Sequence, residues 1–232
     1  MPSRLFAALA LAGVASSLHA TDVQNGSFES GTLSGWTSST TGTQDATSYG
    51  STGVGASVVT GMTGYDSTNG NQPGLHSWTV TPFGSYMASL QAGPSDTFTA
   101  GATALGLSAD AQQQVATLLA QNGGNGSPTN AAWIYQDITL QAGQSFTFAW
   151  QYISTDYEPF NDASLTSLVN LDNPSSLATV NNLTAEFALL GATNQGTGNY
   201  STGSYGATGW EVSTYLANVA GTYRLGFLSF NL

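Results

Sequence analysis

Hydrophobic and polar residues alternate most regularly in the stretch from Gln144 to Tyr152. Side chains of a β-strand point to opposite faces in turn, whereas a helix brings every third or fourth residue to one side. The spacing therefore predicts a strand with one buried aromatic face. The residues on that face are Phe146, Phe148, Trp150 and Tyr152.

Short apolar runs separated by Gly, Ser, Thr and Asn recur along most of the chain. This texture is typical of an all-β sandwich, and we expect one domain over residues 21–232. In the run Trp133–Leu140, the predicted core side carries Ile134 and Ile138. The other predicted strands are Asp22–Phe28, Gly74–Thr81, Ser85–Gln91, Thr184–Leu190, Gly209–Leu216 and Gly221–Phe230.

One short α-helix is predicted within this β pattern, at about residues 108–121. Ser108 is a suitable N-cap, and Asp110 suits the positive end of the helix dipole. Gly123 and Gly124 end the periodic pattern. The apolar stripe consists of Ala111, Val115, Leu118 and Leu119.

Residues 1–20 have the pattern of a secretory signal peptide. Arg4 supplies the positive charge, the apolar run Leu5–Ala15 follows, and small residues lead to a cleavage position after Ala20. The run is too short to span a membrane, and no later segment is apolar enough to do so. We therefore predict a secreted protein, located outside the cell or on its surface.

Composition narrows the classes of partner. The chain has 232 residues with 2 Lys+Arg against 13 Asp+Glu, a formal net charge of -11. Nucleic acids and anionic lipid surfaces are bound through clustered Lys and Arg, so both are excluded as partners. The absence of cysteine excludes disulfides, thiolate nucleophiles and cysteine-ligated metals.

Three segments resemble a known protein family. They are Asn25–Glu29 with Gly35 and Trp36, the block Trp133–Trp150, and the loop Asp156–Asp162. Their order is similar to that of secreted bacterial proteins of the PEP-CTERM (exosortase-sorted) type, whose β-sandwich is like a jelly-roll carbohydrate-binding module. The resemblance implies a structural or adhesive protein of the cell surface or matrix.

The chain departs from this family pattern at its end. Family members continue to a last strand and then to a Pro-Glu-Pro sorting tail, and neither follows Phe230 here. We expect a fragment whose domain lacks its C-terminal strand, because an unpaired sheet edge is a liability. The alternative is self-association, in which a neighbouring copy donates the strand if the chain truly ends at Leu232.

Calcium is the predicted cofactor. Oxygen ligands crowd the loop in Asp156, Glu158, Asn161 and Asp162, and calcium takes six to eight oxygens. A rigid turn formed without metal explains the same residues, and it is the interpretation that we favour for the loop itself. Glu29 is a second candidate ligand, because jelly-roll modules similar to this chain use the glutamate of the opening motif with an aspartate of the last strand. A solvated strand residue is the other interpretation for Glu29, since that last strand is not present here.

Exposed tryptophans are the predicted alternative binding surface. Trp36, Trp78 and Trp133 are candidates for stacking against sugar rings, because flat aromatic faces suit pyranose rings. A place in the hydrophobic core is the other interpretation for each of them.

The sequence offers little support for catalysis. After removal of the signal segment, His76 is the remaining histidine, and no Gly-x-Ser-x-Gly motif occurs. We therefore predict a secreted, non-catalytic structural or adhesive protein that contacts extracellular polysaccharide or other matrix proteins. The alternative is a carbohydrate-binding module, and the third possibility is a polysaccharide-degrading enzyme that uses paired carboxylates.

Overall fold

The computed structural model describes residues 23–39, 55–65, 77–93, 96–121, 127–154, 162–192 and 206–232. The predicted signal segment, His76 and the loop from Asp156 to Asn161 lie outside these ranges. The backbone of Trp78 is described, but its side chain is not. Among the helices in these ranges, none is long and apolar enough to cross a membrane.

The described chain consists mainly of antiparallel strands with two helices. The helices are α1 (Phe98–Ala104) and α2 (Ala109–Gln121), both between the fifth and sixth strands. The strands are β1 (Thr37–Ser38), β2 (Gly55–Val59), β3 (Met62–Tyr65), β4 (Ser77–Val80), β5 (Met87–Gln91), β6 (Ala131–Leu140), β7 (Ser145–Trp150), β8 (Ala163–Asn170), β9 (Thr179–Val180), β10 (Leu183–Thr184), β11 (Phe187–Ala192), β12 (Glu211–Leu216) and β13 (Gly221–Phe230).

Two sheets form the sandwich. The larger has the order β1-β6-β13-β8-β11 and the smaller the order β10-β9-β12-β7. Most successive strands from β6 to β13 change sheet, and only β9 and β10 are neighbours in both sequence and sheet. This connectivity is that of a jelly roll, so the predicted fold class is confirmed. Two further pairs, β2 with β5 and β3 with β4, lie outside the two sheets.

Strand β13 holds the larger sheet together. It pairs along its whole length with β6, from Gly221 opposite Leu140 to Phe230 opposite Ala131. Its other edge pairs with β8, from Tyr223 opposite Asn170 to Phe230 opposite Ala163. Both edges of β13 are therefore satisfied, as expected for a central strand.

The larger sheet has a core on each face. Towards the smaller sheet it presents Ile138 and Leu140 of β6 with Tyr223 and Leu225 of β13. Ile134, Ile138 and Leu140 are all buried, which confirms the predicted core side of β6. The opposite face is covered by the two helices and contains a second cluster that includes Leu105, Val115, Leu119, Leu165 and Leu228.

Helix α2 begins as predicted. The Ser108 hydroxyl accepts a hydrogen bond from the Ala111 N–H at 3.1 Å, as an N-cap does. The Glu186 carboxylate in turn accepts from the Ser108 N–H at 2.8 Å and from its hydroxyl at 2.7 Å. These bonds tie the start of the helix to the segment just before β11.

Helix α1 was not predicted, because its sequence Phe-Thr-Ala-Gly-Ala-Thr-Ala contains weak helix formers. The Thr97 side chain caps it by accepting from the Ala100 N–H. A methyl group added at Gly101 would lie 2.7 Å from both Trp133 and Leu228. The helix is therefore selected by close packing on the sheet.

The predicted first strand, Asp22–Phe28, is wrong over its described residues, which form turns. Asn25 and Phe28 adopt positive φ angles of 49° and 60°, which a strand does not accommodate. The Asn25 side chain donates to the Thr32 carbonyl at 2.7 Å and stabilises the turn. The first strand observed is β1, which pairs with β6.

Candidate binding cleft

A cleft of about 850 Å³ runs alongside strand β7 of the sandwich. Strand β7 with its continuation to Ile153 lines it, together with β5, the end of β13 and the segments around Glu29, Phe83 and Trp210. Aromatic side chains make up 11 of the 39 described lining residues, and most of the others are aliphatic or small. A concave, mostly apolar cavity with a few polar groups is the usual form of a small-molecule binding site.

The predicted aromatic face of β7 forms the inner part of this cleft. Phe148 lies edge-on to Phe227 of β13, with ring centroids 5.0 Å apart, and it also stacks on Tyr215 of β12 at 5.7 Å. The Trp150 indole N–H donates to the Ser213 hydroxyl at 2.9 Å. The inner rings are thus held in place by both sheets.

A buried polar chain supports this wall from behind. The Tyr215 hydroxyl donates to the Thr166 hydroxyl at 3.1 Å, and Thr166 donates to the Gly226 carbonyl at 3.0 Å. Burial raises the pKa of Tyr215 far above its ordinary range, and the bond to Thr166 offsets this only in part. The phenol therefore stays neutral and bridges the two sheets.

The rim of the cleft carries an aromatic pair, the exposed Phe83 and the half-buried Trp210. Their ring centroids are 4.9 Å apart with the planes tilted by 44°. Phe83 is 76% exposed, the highest value among the large hydrophobic side chains described. The Trp210 indole N–H donates to the Thr81 carbonyl at 3.0 Å, which fixes the ring against the loop before Phe83.

Glu29 also lies at the cleft. Its carboxylate accepts hydrogen bonds from the Ser85 N–H at 3.0 Å and from the Tyr86 N–H at 3.2 Å. These bonds attach the opening segment to the loop that carries Phe83. Glu29 therefore shapes the rim, and its predicted role as a calcium ligand stays a prediction.

Asp162 is the described member of the predicted calcium loop, and it too lines the cleft. Its carboxylate accepts from the Leu232 N–H at 3.1 Å. Within the described ranges, no group of three or more His, Asp or Glu side chains could hold a metal ion. Asp156, Glu158 and Asn161 lie outside those ranges, so the calcium site stays a prediction.

The three predicted sugar-stacking tryptophans are not brought together. Trp36 lines the cleft, where it is half-buried between Phe28 at 5.6 Å and Phe227 at 6.1 Å. Trp133 lies on the helix-covered face of β6, stacked on Tyr135 at 5.8 Å and packed against the core there. The Trp78 side chain lies outside the described part.

Two side-chain amides in the lining keep their hydrogen-bonding capacity. Asn130 and Gln151 are half-buried, and neither amide is hydrogen bonded in the described structure. Amides combine donor and acceptor groups, which are the groups that bind hydroxyls. The cleft thus presents apolar rings beside neutral polar groups.

Sequence reasoning missed the rim pair. Phe83 stands in Thr81-Pro82-Phe83-Gly84, where Pro and Gly mark a turn around one large aromatic residue. That arrangement is a signal for an exposed ring. Nothing in the sequence, however, connects it with Trp210, which is 127 positions later.

Comparisons with known proteins do not place this chain in a family. No protein-family model matches it, and neither a search of curated proteins nor a search of solved structures finds a match. The resemblance to PEP-CTERM proteins is therefore an expectation from the sequence. What the cleft can bind has to be argued from its own residues.

Proposed function

We propose that this chain is a secreted, non-catalytic adhesive protein of the cell surface or extracellular matrix, and that it binds polysaccharide in the aromatic cleft. The observation that carries the proposal is the aromatic pair of the exposed Phe83 and the half-buried Trp210, which lines a cavity of about 850 Å³. The protein would adhere to the matrix by binding a polysaccharide in this cleft.

The chemistry of the lining suits a sugar. A pyranose ring presents an apolar C–H face to an aromatic ring and hydroxyls at its edges. Phe83 and Trp210 offer ring surface at the rim, and Asn130 and Gln151 offer amides. The rings of β7 are held by both sheets, so little ordering is needed on binding, and such preorganisation favours affinity.

We expect the cleft to bind the glycan without hydrolysing it, because the carboxylates in its lining are engaged in structural hydrogen bonds. A glycosidase needs a pair of carboxyl groups across the scissile bond, one acting as a general acid. In the described lining these groups are Glu29 and Asp162, and each accepts a hydrogen bond from a backbone N–H. Both therefore have a structural role in shaping the cleft.

A glycan panel tests the proposal directly. Affinity electrophoresis in gels containing soluble polysaccharides, followed by titration calorimetry on the ligands that retard the protein, should detect binding. Phe83→Ala and Trp210→Ala should each weaken it about tenfold or more, because stacking surface is lost. Leu183→Ala is the matched control, since Leu183 is exposed but lies outside the cleft lining.

Two outcomes would contradict the proposal. If no polysaccharide retards the protein, or if the two rim variants bind as well as the Leu183→Ala control, the cleft is not the binding site. An increase in reducing ends during incubation with a bound glycan would instead favour the polysaccharide-degrading enzyme.

Calcium stabilisation, the other expectation from the sequence, has its own test. We propose that the loop Asp156–Asp162 binds the ion, in which case chelator should lower the melting temperature by a few degrees. The double substitution Asp156→Ala with Asp162→Ala should abolish that shift. An unchanged melting temperature in chelator would remove calcium from the proposal.

A further inference from the structure

The charge of the cleft is one-sided. Among its described lining residues the charged ones are Glu29 and Asp162, both acidic. The Glu29 carboxylate is held at the rim by the Ser85 and Tyr86 N–H groups. A ligand entering the cleft therefore meets fixed negative charge.

Positive charge is scarce in the whole chain. The sequence contains no lysine, and its two arginines are Arg4 and Arg224. Arg4 belongs to the predicted signal segment. Arg224 is therefore the one lysine or arginine side chain of the predicted mature chain.

Arg224 is already engaged away from the cleft. Its guanidinium donates two hydrogen bonds to the Asp137 carboxylate, at 2.8 and 2.9 Å, and a third to the Ala104 carbonyl at the end of α1. The group also lies 4.0 Å from the centre of the Tyr135 ring. The hydrogen bond with Asp137 raises the pKa of Arg224 and keeps it charged and paired.

We infer that the cleft selects uncharged glycans and rejects glycans that carry carboxylate or sulfate groups. This inference rests on the proposed function and names the class of ligand within it. A uronic acid or sulfate would approach the Glu29 carboxylate, and the described lining contains no lysine or arginine side chain to offset the repulsion. The uncharged hydroxyls of a neutral sugar are matched instead by the amides of Asn130 and Gln151.

The test compares two derivatives of one glycan. The neutral polysaccharide that binds best is carboxymethylated, and a second sample is hydroxyethylated to the same degree as a steric control without charge. In low salt of about 20 mM, the hydroxyethyl derivative should bind about tenfold more tightly or better. The difference should shrink at about 0.5 M salt, because screening weakens the repulsion.

The outcomes separate this inference from the proposed function. If the two derivatives bind equally, or if the carboxymethyl derivative binds more tightly, the inference is overturned and the polysaccharide-binding function stands. If no glycan binds in the first place, the proposed function itself fails.

A substitution of Glu29 tests whether its carboxylate causes the weaker binding of charged glycans. Glu29→Gln removes the charge but keeps an oxygen that can accept from the Ser85 and Tyr86 N–H groups. In this variant the tenfold preference for the hydroxyethyl over the carboxymethyl derivative should fall to roughly threefold. Glu186→Gln is the matched control, because Glu186 also accepts from a backbone N–H, that of Ser108, but lies outside the cleft lining. An undiminished preference in Glu29→Gln would refute the role of this carboxylate.

Discussion

The two faces of the larger sheet are covered in different ways. On one face, α1 and α2 place Leu105, Val115 and Leu119 against the strands, and these side chains are at most 1% exposed. On the other face, the rings of β7 meet β13 but leave a cavity of about 850 Å³ beside them. Aliphatic side chains on close-packed helices fill space, whereas rings braced across two sheets hold a cleft open.

Residues on the helix-covered face stabilise the fold, whereas residues at the rim of the cleft are available for binding. Close packing makes the helix-covered face sensitive to the loss or gain of single methyl groups. At the rim of the cleft, by contrast, the Phe83 side chain is largely exposed, so it contributes little to the stability of the fold. Substitutions on the helix-covered face should therefore lower the stability of the fold, whereas substitutions at the rim should weaken glycan binding and leave stability nearly unchanged.

The largest loss of stability is expected for Leu105→Ala. Leu105 is fully buried between α1 and β13, and its truncation leaves a cavity that the packed surroundings cannot fill. The free energy of unfolding should fall by about 3 kcal/mol. Denaturant unfolding followed by tryptophan fluorescence measures it, and a loss below about 1 kcal/mol would show that this face is not close-packed.

The next largest loss is expected for Gly226→Ala. A methyl group on Gly226 would overlap the side chain of Leu105 and lie 2.7 Å from the Ser167 hydroxyl. Overpacking here should cost about 2 kcal/mol. The double variant with Leu105→Ala should lose less than the sum of the single losses, because the deleted side chain makes room. Strict additivity would contradict the contact.

A smaller loss is expected for Tyr215→Phe, which removes the hydrogen bond to Thr166 and should cost about 1 kcal/mol. The raised pKa of Tyr215 also predicts a pH dependence. The folded protein holds this proton more tightly than the unfolded chain, so the stabilisation is complete below about pH 10 and falls as the pH rises further. Above about pH 10 the free energy of unfolding should therefore fall less steeply with pH in Tyr215→Phe than in the unmodified protein. Equal slopes in denaturant unfolding across this pH range would contradict the prediction.

The smallest change in stability is expected for Phe83→Ala. Phe83 is 76% exposed, so the free energy of unfolding should change by less than about 0.5 kcal/mol. The same substitution is the one expected to weaken glycan binding. A large loss of stability would mean that the rim belongs to the folded core, and the contrast between the two faces would then disappear.

Much of the fold could be read from local patterns. The alternation in Phe146–Tyr152 predicted β7, and the cap and stripe after Ser108 predicted α2. Strand β8 escaped notice because it is buried on both faces and its residues do not alternate. Helix α1 escaped because its stability comes from the sheet beneath Gly101 and not from its own residues.

The candidate site was less accessible to such reasoning. Trp36 was among the residues considered for sugar binding, and it does line the cleft. Phe83 and Trp210 form their pair only because the loop before β5 and the segment before β12 meet in space. No local pattern records a contact between residues so far apart in the sequence.

The sequence by itself determined the class of the domain and the sign of its charge. Period-two alternation follows from strand geometry, and a composition with 2 Lys+Arg against 13 Asp+Glu leaves few cations wherever the chain folds. Only the tertiary structure decided where the individual charged side chains lie and what they contact. It paired Arg224 with Asp137 away from the cleft and brought Glu29 to the Ser85 and Tyr86 N–H groups. The reason is physical: these contacts depend on long-range strand pairing, which joins residues that no local pattern relates.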